Sequence, residues 1–164
     1  MFKNLLIMFI ASLIGCAVGF KNFVYFMSIG YGASIATVGF ALMIMSLLGI
    51  LNGHVLTYLL CLVLIGYGIR LSGFLILREL KSAGYKKVFK EVAGKDKLPM
   101  PVMVCMWLVM GVLYVSFCCP TYFRLYNQTG ATTLGYIGLF ISIFGIALEA
   151  YSDIQKSKQK AIRP

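Results

Sequence analysis

The sequence predicts an all-α, polytopic transmembrane helix bundle of about five spans, and three observations carry that expectation. Of its 164 residues, 60% are hydrophobic and only 12% charged, whereas a soluble domain is nearer half apolar and a quarter charged. The apolar residues are gathered into blocks of about 20, the length a helix needs to cross the hydrocarbon core. The basic residues fall between alternate blocks, the asymmetry expected of cytoplasmic loops.

The blocks cover about 4–20, 32–51, 54–78, 101–121 and 132–151, within a single transmembrane domain 1–164. The first is short and resembles the apolar core of a signal peptide. No small-residue cleavage site follows it, and the stretch Lys21 to Tyr31 is aromatic, so it reads as a helix. Asn52-Gly53 predicts a tight turn between the second and third spans, which makes them a helical hairpin. The third span leads into a long mixed-charge loop, "ELKSAGYKKVFKEVAGKDKL" (79–98), predicted to be cytosolic. Pro99 and Pro101 suit the start of the fourth helix, where a missing N–H costs little. Pro120 is expected to close that helix, and "YFRLYNQTG" then places aromatic residues at the membrane surface. The fifth span runs into a basic tail, 152–164.

Charge position gives orientation. Lys21, the seven bases of 78–97 and the four of the tail fall at one set of helix ends; only Lys3 and Arg124 fall at the other. This predicts N-terminus out and C-terminus in, with an odd number of spans. It also accounts for the net charge of +10 through contact with membrane lipid, with no nucleic acid as partner. The five cysteines have no metal-ligand spacing, and the single His54 cannot complete a zinc set, so no metal is expected.

Ionisable side chains inside a membrane are costly and each needs a reason. Arg78 can snorkel at a span exit. Arg70 lies eight residues earlier, roughly 12 Å deeper at the helical rise, and is expected to face the bundle interior. Tyr67, at i−3, shares its face. The final span ends "ALEAYSDIQKSKQK", whose Glu149, Asp153, Lys156 and Lys160 are spaced 4, 3 and 4 along one helical face. Two uses are open: a charge pair such as Arg70–Glu149 that fixes packing, or carboxylates that accept from a polar ligand entering at the bundle mouth.

Three stretches resemble the steroid 5α-reductase superfamily, and in particular its bacterial branch of uncharacterised membrane proteins. They are "SIGYGASIATVGFAL" (28–42), "YGIRLSGFLILRELK" (67–81) and "GIALEAYSDIQKSKQK" (145–160). The resemblance implies an NADPH-dependent reductase of an activated C=C bond in a lipid-like enone, set in a bacterial inner membrane. It assigns cofactor contacts to Glu149, Asp153 and Lys160, and the catalytic positions to Tyr67 and Arg70. The tyrosine would donate to the enone oxygen as charge develops there. Steroid-reducing members pair that tyrosine with a glutamate of the second helix, which this chain lacks. Members also continue beyond the Asp-x-Gln-Lys helix, whereas this sequence ends at Arg163-Pro164. The expectation is therefore a chain inactive alone or dependent on a C-terminal half, with self-association through the third and fifth helices. The alternative is a non-catalytic membrane scaffold or lipid-binding bundle. A transporter is disfavoured, since no inverted repeat or pair of broken helices is present. The membrane methyltransferases that share a cofactor-binding design are disfavoured by the Tyr67–Arg70 and Glu149–Asp153 pairs.

Overall fold

Inside a hydrocarbon layer the backbone must satisfy its own hydrogen bonds, so long apolar blocks fold as helices. The computed structural model describes residues 1–81 and 99–162, with the side chains of 79–81 and 160–162 outside that description. Of the predicted cytosolic loop 79–98, residues 79–81 continue a helix and 82–98 lie outside the described residues. Those residues form α1 (Phe2–Cys16), α2 (Val24–Met27), α3 (Ile29–Leu47), α4 (Val55–Lys81), α5 (Met100–Tyr126) and α6 (Thr133–Ile162), with no strand among them. A 3₁₀ turn, Ala17–Phe20, extends α1. Five stretches are long and apolar enough to cross a membrane: Phe2–Phe20, Ile29–Leu47, Val55–Arg78, Met100–Tyr126 and Thr133–Gln159. The all-α architecture with five spans is as the sequence predicts, and the chain is an integral membrane protein.

Three boundaries differ from the sequence reading. The second span ends at Leu47 rather than near 51, because Gly49 adopts φ 72° and turns the chain back so that Ile50 and Leu51 N–H reach the Met45 carbonyl. A left-handed glycine just past the last turn is a common way to end a helix. The link to α4 is thus 48–54, longer than a two-residue turn. At its far end the Leu56 N–H donates to His54 Nδ1, so the single histidine caps α4. Pro120 does not close the fourth helix, which continues to Tyr126. A proline ring removes one N–H and crowds the carbonyl four residues back, yet membrane helices tolerate this where neighbours support the backbone. Pro99 precedes the first residue of α5 and Pro101 lies in its first turn, as expected.

α3 is the most enclosed span and forms the centre of the bundle, packed against α1, α4 and α5. In lipid, association depends on close packing and interhelical hydrogen bonds rather than on the hydrophobic effect. Small hydroxyls supply the bonds. Ser34 donates to the Ser12 carbonyl (2.9 Å), Thr37 to that of Ala11 (2.8 Å), and Ser12 to that of Gly111 (3.1 Å). Trp107 and Tyr114 on α5 donate to the carbonyls of Leu13 (2.8 Å) and Phe26 (2.6 Å). α3 and α4 touch backbone to backbone: a Cβ on Gly32 would come 2.6 Å from Ser72 Oγ and 2.9 Å from the Gly68 carbonyl. By contrast α6 leans on α4 and buries little, leaving Leu134, Phe140, Ile141 and Phe144 exposed.

Candidate functional site

The Gly32–Gly68 approach also sets the geometry of the charged site, because the residue just before each glycine is a tyrosine, Tyr31 on α3 and Tyr67 on α4. Their hydroxyls lie 3.4 Å apart in a long hydrogen bond, and their rings meet edge to face at 6.2 Å. Tyr31 is held from its other sides by the rings of Tyr114 (5.3 Å) and Phe117 (6.3 Å).

One turn beyond Tyr67 on α4, Arg70 meets both carboxylates of α6. Its Nη2 donates to Asp153 Oδ2 at 2.7 Å, and its Nη1 lies 3.3 Å from Glu149 Oε1. The first is a short charge-assisted hydrogen bond. The second is an ion pair without hydrogen-bond alignment, so Nη1 is buried with a charge partner and no bonded acceptor. Glu149 and Asp153 are four residues apart, which puts them one above the other on the face turned to α4. The side chains remain partly accessible, at 24% for Arg70, 38% for Glu149 and 19% for Asp153. One cation against two carboxylates leaves the cluster acceptor-rich, since each carboxylate has lone pairs that Arg70 does not use.

The structure therefore brings together four of the five residues singled out from the sequence. Arg70, Glu149 and Asp153 touch, and the Tyr67 phenol lies within electrostatic reach of Arg70 and Glu149. The phenol bonds to Tyr31 rather than resting against the guanidinium, as the shared helical face had suggested. The fifth residue, Lys160, lies on the last turns of α6, and its side chain is outside the described residues. Lys156 and Lys158 on the same turns are exposed. Tyr31 is the residue that sequence reasoning missed. Its one signal was a phenol in an otherwise small and apolar span, and nothing in the spacing tied it to Tyr67.

The sequence model of a family of proteins of unknown function, DUF1295, matches residues 20–163. The chain belongs to the DUF1295 family. The match takes in every residue of the cluster, from Tyr31 through Tyr67 and Arg70 to Glu149 and Asp153. DUF1295 is a steroid 5α-reductase-like membrane family, in keeping with the five spans. No curated protein and no solved structure matches the chain.

Proposed function

We propose that the chain is an NADPH-dependent membrane reductase of an activated C=C bond in a lipid-like enone, of the bacterial inner-membrane branch of the steroid 5α-reductases. The observation that carries this reading is the convergence of Tyr67, Arg70, Glu149 and Asp153 from two helices 83 positions apart in sequence, as counted from Arg70 to Asp153.

The residues present suit the cofactor. Ribose hydroxyls and a carboxamide are donors, and the cluster offers free carboxylate lone pairs at Glu149 and Asp153. Lys156, Lys158 and Lys160 supply positive charge on the adjoining turns for phosphates. When bound, the reduced nicotinamide supplies a hydride. The work of the chain itself is to hold the enone and manage charge at its oxygen. Tyr67 donates to that oxygen, and Tyr31 fixes the direction of the Tyr67 hydroxyl. Arg70 orients both carboxylates and tempers their charge near the phenol. A positioned general acid of this kind contributes about 10²–10⁴ in rate.

The test follows NADPH oxidation by the full chain in its native membrane, with a panel of lipid-like enones. Tyr67→Phe should lower the rate by about 10² or more, and Asp153→Asn should weaken NADPH binding. Absence of NADPH binding by the full chain in that membrane would overturn the proposal.

A second reading is favoured by one observation, that Arg70 already engages both carboxylates. In it the cluster is a latch holding α6 to α4 in a non-catalytic scaffold. Tyr67→Phe would then be silent, while loss of Arg70 would release α6.

A further inference from the structure

At the membrane end away from Arg70, helices α4, α5 and α6 leave a groove of about 310 Å³ between them. That is at the lower edge of the range for ligand pockets, roughly 300–1,000 Å³. Leu60, Leu64 and Phe117 form apolar walls, Gly138 leaves one side bare, and Arg124 stands at one end. Phe117 and Ser142 also face out of the bundle, so the groove opens to the surrounding lipid.

Arg124 is not simply reaching for water. A snorkelling arginine puts its head outside, whereas this Nε is buried with no hydrogen-bond partner. One terminal nitrogen, Nη2, donates to the Gly130 carbonyl at 2.9 Å. The same nitrogen lies 3.3 Å from where a Cβ of Gly135 would stand, in the first turn of α6. A helix start carries positive potential, and this first turn has no acidic residue to offset it. A cation and the positive end of a helix thus face each other.

Among the described residues only neutral acceptors meet that charge, the Gly130 carbonyl at Arg124 and Thr132 Oγ1 at the Gly135 N–H, and no carboxylate does. The five acids of the chain are Glu79, Glu91, Asp96, Glu149 and Asp153. Glu149 is 14 residues along α6 from Gly135, roughly 21 Å at the helical rise. Glu79 is on the last turn of α4, 19 residues from Leu60 and roughly 28 Å away at the helical rise, and Glu91 and Asp96 lie outside the described residues.

We propose that this groove binds an anionic phospholipid, with its phosphate against Arg124 and the start of α6 and one acyl chain along Leu60, Leu64 and Phe117. The positive charge of Arg124 and of the helix start selects an anionic headgroup. The apolar length beside it selects a lipid over a free anion, which would leave those walls unfilled. The proposal stands apart from the reductase reading, since it uses none of the residues of the Arg70 cluster.

The test uses the full chain purified in detergent, with lipid retention followed by native mass spectrometry and unfolding followed by the fluorescence of Trp107, the single tryptophan. Phosphatidylglycerol, phosphatidylcholine and inorganic phosphate are compared. Phosphatidylglycerol should be retained and should raise the unfolding temperature more than the other two. Arg124→Gln should weaken it by about tenfold or more, the effect of losing a charge-assisted bond, and Arg124→Lys by less. Gly138→Leu adds a side chain where a Cβ meets nothing within 4 Å, so the protein should fold as before while the filled groove loses the lipid. If Arg124→Gln fails to fold, the lysine and leucine variants decide. Equal binding of the two lipids, phosphatidylglycerol binding untouched by Gly138→Leu, or stabilisation by inorganic phosphate alone would each overturn the proposal.

Discussion

Arg70→Met is expected to destabilise the protein by about 2–3 kcal/mol, and the reason lies in what is left behind rather than in the bonds removed. Arg70 separates two carboxylates that sit one helical turn apart on α6. Without it they face each other at about 6 Å, and at an effective dielectric near 20 two such charges repel by about 2.8 kcal/mol. Their partial exposure moderates this, and either can take up a proton. Asp153→Asn is milder, at about 1 kcal/mol or less, because Arg70 keeps Glu149 as its counter-ion. The triple variant Arg70→Met/Glu149→Gln/Asp153→Asn should recover more than half of what the first loses. For a chain of this length a 2 kcal/mol loss lowers the unfolding temperature by about 4–8 °C. Thermal unfolding in detergent reads it through Trp107, which lies on α5 against Leu13 and Phe20. If Asp153→Asn costs more than Arg70→Met, or the triple variant recovers nothing, the charge argument is wrong.

Other sites give independent checks. Gly68→Ala places a Cβ against the Gly32 carbonyl and the Ala36 amide, so it should cost about 1–3 kcal/mol; Gly73→Ala, which meets nothing within 4 Å, should stay within about 0.5 kcal/mol in the same melt. Tyr114→Phe removes the 2.6 Å bond to the Phe26 carbonyl and should lower stability by about 1–2 kcal/mol in urea or thermal unfolding. Tyr31→Phe frees the Tyr67 hydroxyl while keeping its ring contacts; under the reductase reading it slows NADPH-dependent turnover by up to about tenfold with little change in melting. A cysteine introduced by Ser82→Cys, in a background lacking the exposed Cys105, should react with an impermeant maleimide from the cytosolic side only, and labelling from outside would contradict the orientation.

By itself the sequence determined the helices, their number and the residues worth asking about. A 20-residue apolar block admits one backbone solution in lipid, so the spans could be read from composition and length alone. The cost of an ionisable group in hydrocarbon singled out Arg70, Glu149 and Asp153 from the same string. What it left open was pairing. The 3.6-residue period fixes which side chains share a face of one helix, and says nothing about which face of another helix they meet. Tertiary structure decided that Arg70 takes both carboxylates and that Tyr67 turns to Tyr31. It also decided that the helix continues past Pro120 and that Arg124 stands by the start of α6, whose first turn has no acidic residue. Each of these depends on how closely two backbones approach. That distance is set at a few small residues, Gly32 against Gly68 above all, and a glycine in a sequence does not say which neighbour it admits.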